Sequence, residues 1–264
     1  MNPSKPELQA PAEPDPRLWL THERLKSLEE HLGCAASLLR KAGLWRAALG
    51  YWVRWQLSLE AEWPPAEEQA CLAELEQQWL AKHSFEEAGL SSVELRAKLR
   101  VAPAALRWCK AQWGHRLESL YLQRKSGLDR ASCRLLRLTD KNLALELYHR
   151  IKAGETSFER AAFEFGEGPE RFRGGLVPLQ PLGQMPFGLA PLLERLDLGQ
   201  LSMPLRLNQG FCLVQLVKRQ PSQLDSITGD ALLLEQLAMW VDAVVDVLVA
   251  DLSSSDADRQ STGI

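Results

Sequence analysis

The chain has 264 residues, enough for one large domain or two small ones, and its 31 Lys and Arg against 34 Asp and Glu leave a formal charge of −3. That near-balance excludes nucleic-acid binding by counterion release, and no basic run points to an anionic membrane surface. With 45% hydrophobic and 25% charged residues, the composition is that of a globular domain.

The first 16 residues contain five prolines and no apolar stretch, so 1–16 is expected to be a disordered leader and not a signal peptide. The five cysteines (34, 71, 109, 133, 212) are odd in number and form no CxxC, which argues against a disulfide framework and against structural zinc. His22, His31, His83 and His115 show no metal spacing. Neither a metal nor another cofactor is implied, and a cytoplasmic location is expected.

Between Arg17 and Arg130 there are only three prolines and six glycines, and eight of the nine tryptophans lie at or before Trp113. Few breakers and many Leu, Ala, Glu and Arg predict an all-helical domain over 17–126, of five or six helices. Leu38, Leu39, Ala42, Trp45, Leu49, Trp52 and Val53 form one apolar face at i, i+3, i+4 steps, ended by Trp63-Pro64-Pro65. Ser84-x-x-Glu87 and Ser91-x-x-Glu94 match the capping box, and Pro103 suits the first turn of a further helix. The tryptophans at helical spacing are read as core.

The composition changes near Ser126-Gly127. From Gly154 to Pro221 there are nine glycines and seven prolines, the mark of short elements joined by turns. Ala131–Leu138 reads as a strand. Asp140 caps a helix carrying Leu143, Leu147 and Ile151 and ending at Gly154, with His149 off that line; Thr156-x-x-Glu159 opens a second with Phe158, Ala161, Ala162 and Phe165 inward. A Gly/Pro-rich strand, a short helix through Leu189 and Leu193, and strands at Met203–Leu207 and Phe211–Val217 follow. The result is an α+β module over 127–221. A last helix over 226–252 carries Leu233, Leu237, Trp240, Val241, Val244 and Leu248, a stripe too wide for the small module to cover, so it is expected to return to the N-terminal helices. Its spaced acids speak against a membrane span, and 253–264 is expected to be a disordered tail.

Four segments in order, Lys152–Phe158 with Ala161-Ala162, Glu167–Glu170 with Gly174-Gly175, Leu196–Pro204, and Gly210–Arg219, resemble the parvulin-type (PpiC-like) peptidyl-prolyl isomerase domain. The helices on either side look like the chaperone segments flanking such domains in bacterial foldases. Gly174–Leu182 is more like soluble members from photosynthetic bacteria, some of which accompany peptide-export systems. The resemblance implies an antiparallel sheet of about four strands with three helices, and isomerisation of X-Pro bonds in unfolded or exported polypeptides. It also implies an apolar proline cup, onto which Met185, Leu189 and Val177 fall, with Phe211 beside it. The two family histidines, one in the first and one in the last strand, are Cys133 and Cys212 here. With Met185 these form the candidate catalytic set, expected on adjacent strands as opposite or diagonal neighbours. Arg171 and Arg173 are candidate contacts for acidic substrates, and Glu167 is nearest to the family's acidic or thiol position. Two functions stay open: a weak isomerase, or a non-catalytic peptide-binding chaperone or export adaptor. The expected partner is an unfolded or proline-containing polypeptide, with a peptide-export system as a candidate and no nucleic acid or membrane.

Overall fold

The computed structural model describes residues 14–207 and 210–261, with side chains to residue 251. The leader expected over 1–16 therefore lies outside the described residues except for its end, where Asp15 caps a one-turn helix. The chain divides into two units, one running to Glu118 and resuming at Asp225, the other spanning Ser119–Leu224.

The first unit is helical. Its elements are α1 (Pro16–Trp19), α2 (His22–Leu32), α3 (Ala36–Lys41), α4 (Trp45–Glu60), α5 (Pro65–Leu80), α6 (Phe85–Ala88) and α7 (Ser92–Trp113), and α8 (Leu117–Leu128) leads onward. Eight helices thus stand where five or six were expected, because α1 and α6 are single turns too short to show a period. The stripe predicted from Leu38 to Val53 is split at Gly43, which takes φ +71°, a conformation that glycine adopts without strain. Leu38 is consequently exposed, whereas Leu49, Trp52 and Val53 are buried.

A second correction concerns Pro103. Ser91 and Glu94 form a complete capping box that opens α7, and the helix continues through Pro103 instead of starting there. An interior proline costs about 3 kcal/mol. Burial of Leu95, Val101, Trp108 and Trp113 on the same helix offsets it, since each large apolar side chain removed from water contributes about 1.5–3 kcal/mol.

The C-terminal helix α12 (Ser226–Ser261) belongs to this unit and packs on α1, α4 and α7. All six residues of its expected stripe, Leu233 through Leu248, are buried. Trp240 is the centre, with ring centroids 5.3 Å from both Trp19 and Trp108 and 6.5 Å from Trp113. Lys110–Asp230 and Arg46–Asp246 ion pairs flank the seam. The disordered tail expected from 253 is helical as far as Ser261, since no glycine or proline interrupts the chain before Gly263. Among the described residues, no helix is long and apolar enough to cross a membrane.

The second unit holds β1 (Arg130–Leu138), α9 (Lys141–Lys152), α10 (Phe158–Phe165), β2 (Leu176–Pro181), α11 (Ala190–Leu193), β3 (Leu205–Leu207) and β4 (Gly210–Gln220). They build an antiparallel sheet in the order β2-β1-β4-β3. The composition boundary near Ser126-Gly127 lies inside α8, which runs unbroken to Leu128. Asp140 caps α9 as its spacing requires. The cap of α10 is Ser157 and not Thr156, because the Ser157 hydroxyl, one residue later, receives the Arg160 amide.

The sheet is covered on both faces. Leu136, Leu138 and Leu213 point toward α9 and α10, meeting Leu147, Phe158 and Ala162. Cys133, Leu135, Cys212, Val214 and Leu216 face the irregular segment 182–196, meeting Met185, Leu189 and Leu193. This strict alternation along β1 and β4 leaves the ends of the strands as the place where a cavity can open.

Candidate functional site

A cavity of about 560 Å³ opens where β1 ends and β4 begins. Its walls are Arg137, Leu138 and Thr139 from the end of β1, Leu207 from β3, Gly210 and Phe211 from β4, Glu167 from the loop after α10, and Phe187 from the turn before α11. Gly210 is required there, because a Cβ would press into the Leu138 carbonyl of the neighbouring strand.

Arg137 is held on two sides. Its Nε and Nη2 donate to the two carboxylate oxygens of Glu170 at 2.6 and 3.0 Å, a bidentate pair, and its guanidinium lies 4.9 Å from the centre of the Phe187 ring. The hydrogen bond to Glu170 raises the Arg137 pKa further. Gly168 packs against this pair so closely that a side chain there would collide with both Glu170 and Arg137. Glu167 accepts from the Thr139 hydroxyl at 2.6 Å and the Thr139 amide at 2.9 Å, and these bonds hold its carboxyl below the usual range. Phe187 is half exposed and takes φ +58°, the only described residue other than glycine with a positive φ. A bulky side chain in this region is strained, and such strain concentrates at binding sites.

The residues expected to form the site divide between two places. Phe211 lines the cavity. Met185, Leu189 and Val177 are buried in the sheet-facing cluster, 7%, 3% and 8% exposed, and do not line it. Their apolar character serves the core, a use that sequence cannot separate from a cup. The aromatic ring of the segment before α11 that lines the cavity is Phe187, two residues before Leu189. Arg171 donates to the Gly166 carbonyl and its guanidinium lies over Phe172; neither Arg171 nor the exposed Arg173 lines the cavity.

Cys133 and Cys212 are on adjacent central strands, on one face, and fully buried. They are not, however, opposite or diagonal neighbours. A register shift between Ser132 and Cys133 sets Cys133 against Leu216, while Cys212 is set against Arg137. The Leu135–Val214 pair lies between them, so their backbone positions are offset by about 13 Å along the strands, at about 3.3 Å per residue, while Cys212 still acts electrostatically on the Cys133 thiol. Burial pushes the Cys133 thiol up to about 12 and the Cys212 thiol up to about 11, so both are neutral at physiological pH. Neutral, enclosed thiols are weak donors and poor nucleophiles.

Residues 136–218 match the rotamase family described as the PPIC-type PPIase domain. The second unit is a parvulin-type isomerase domain. No curated protein matches the chain. Among solved structures, the chain is similar to the peptidylprolyl isomerase PrsA of Bacillus anthracis, with 14% identity over 76% of this chain and 95% of that one (TM-score 0.43). PrsA of Bacillus cereus gives 18% identity over 86% and 85% of the two chains, with a TM-score of 0.48. One of two structurally related SurA-like chaperones of Campylobacter jejuni gives 13% over 90% and 79%, with a TM-score of 0.36.

In the parvulin domain the position of the cavity was visible only in part from sequence. Phe211 and Glu167 carried signals through the motifs around them. Arg137 did not, since an arginine in a strand of alternating apolar residues reads as an ordinary solvated position. Phe187 gave one cue that could have found it: Phe187-Gly188 after a proline, where a turn demands positive φ.

Proposed function

We propose that the parvulin domain catalyses cis–trans isomerisation of X-Pro bonds in unfolded polypeptides, with the proline received in the cavity at the end of β1 and β4. Rotation about a peptide bond faces about 18–20 kcal/mol, because conjugation is lost in the twisted state. The cis and trans X-Pro forms differ by only about 0.5–1 kcal/mol. A site therefore needs no nucleophile. It needs an apolar seat for the ring, little water, and donors suited to the twisted amide.

The observation that carries this reading is the pairing of Phe187 with Arg137 on a PPIC-type sheet. Phe187, Leu207 and Phe211 supply apolar wall, and the Glu170 pair engages Arg137 through Nε and Nη2. The volume of about 560 Å³ is in the range of small-ligand clefts and admits a proline with its neighbours.

A second reading, a peptide-binding chaperone or export adaptor without isomerase activity, is favoured by one observation: the family's histidine positions hold buried, neutral thiols. A chymotrypsin-coupled assay on X-Pro tetrapeptides decides between the two. Acceleration that falls in Phe187→Ala supports the isomerase. No acceleration, with suppressed aggregation of an unfolded client, supports the chaperone. The expected partner is a proline-containing or unfolded polypeptide, and a peptide-export system remains the candidate to which it would deliver. We assign the protein to the cytoplasm, a reading supported by its five free cysteines; fractionation of the source cells tests it.

A further inference from the structure

Arg137 and Glu167 are the charged residues among the described lining, and Glu170 behind them takes up the charge of Arg137 through a bidentate pair. Arg137 is neutralised by a bidentate partner, and Gly168 is packed against the pair, so the arginine cannot swing out to meet a carboxylate without breaking two charge-assisted hydrogen bonds. Glu167 differs. Among the described residues both of its hydrogen bonds, from the Thr139 amide and hydroxyl, fall on Oε1, and Glu167 stands at the cavity wall. Arg206, whose backbone is paired with that of Phe211, and Arg171 and Arg173 stand outside the described lining.

We propose that Glu167 determines specificity in this site by pairing with a Lys or Arg immediately before the proline, and that peptides with Asp or Glu at that position are disfavoured. The proposal rests on the isomerase reading above and adds the substrate class to it. Adjacent Cα atoms are 3.8 Å apart, so a proline seated against Phe187 and Phe211 brings the preceding side chain within reach of the same cavity wall. The Thr139 bonds keep the Glu167 carboxylate ionised and fix its orientation, which reduces the ordering that an incoming cation would otherwise require.

The test is kcat/KM of the full chain on Ala-Xaa-Pro-Phe p-nitroanilides with Xaa as Lys, Ala or Glu. Exposed pairs reach about fivefold effects, so the Lys peptide should exceed the Glu peptide by about fivefold or more at low salt. In Glu167→Gln, whose amide oxygen can still accept from Thr139, the Lys-to-Glu ratio should fall toward one. In Glu170→Gln, which frees Arg137, the Glu peptide should gain on the Lys peptide. A wild-type ratio near one, or a ratio that Glu167→Gln does not move, overturns the proposal. If no peptide is accelerated, the isomerase reading fails while the specificity can still be read by nuclear magnetic resonance titration of the same three peptides. Binding in the order Lys, Ala, Glu would sustain it, and equal dissociation constants would sink it.

Discussion

Cys133 and Cys212 face the same side of the sheet, with the cross-strand pair Leu135–Val214 between them. Histidines at these two positions would therefore not stand directly opposite each other, and each would bury ring nitrogens in an apolar cluster. Burying an unsatisfied polar group costs about 1–3 kcal/mol. The double variant Cys133→His/Cys212→His should lose about 2–4 kcal/mol in urea unfolding, with no rise in isomerase rate. A faster enzyme with the fold retained would show that the register in solution brings the two positions together.

The same burial protects the thiols. Cys109 and Cys133 are pushed up to about 12 and Cys212 up to about 11, all by desolvation first, and all three are buried. Alkylation depends on the exposed thiolate. In folded protein at pH 8, iodoacetamide should modify exposed Cys34 first and should reach Cys109, Cys133 and Cys212 only after denaturant is added, as read by peptide mass spectrometry.

Phe187 separates function from strain. In Phe187→Ala the ring is lost but the cost of the positive φ stays; in Phe187→Gly the ring and that cost both go. The left-handed region costs a non-glycine residue roughly 1–2 kcal/mol. Phe187→Gly should therefore be more stable than Phe187→Ala by about 1 kcal/mol, while both lose about tenfold in kcat/KM. Full activity in either variant would remove Phe187 from the substrate's surroundings.

Acid sensitivity should trace partly to Asp129. Burial alone would raise its pKa, but hydrogen bonds from the Ser222 amide and hydroxyl, each 2.8 Å, and from Lys125 outweigh burial and lower it. A carboxyl lowered in the folded state adds stability above its unfolded pKa of about 3.9 and loses it as pH falls through the folded value. Asp129→Asn should cost about 1–2 kcal/mol at pH 7 and progressively less below about pH 4, by urea unfolding at each pH.

Local chemistry made much of this fold readable. Asp140 and the Ser91–Glu94 box are short-range hydrogen-bonding devices, and the α12 stripe is a period that needs only a partner face. Pro103 misled because tertiary burial overrode a local preference, and Ser157 displaced Thr156 because two adjacent hydroxyls compete for one cap. The site was harder. Met185 and Leu189 have the right character for a cup, and only the three-dimensional path of 182–196 turns them into the core beneath it. The bulge at Ser132–Cys133 leaves no trace in composition, yet it decides which residue lies opposite Cys212.

The return of α12 to the first unit sets an order of events at the ribosome. Ser119–Leu224 is one uninterrupted stretch, so the sheet can close as soon as its last strand emerges. Trp19, Trp52, Trp108 and Trp113 have by then left the exit tunnel without Trp240, the ring that fills their cluster. At roughly 5–20 residues per second, the helices wait several seconds with an aromatic face uncovered. The parvulin-type domain is complete while the helical half still displays an uncovered aromatic cluster.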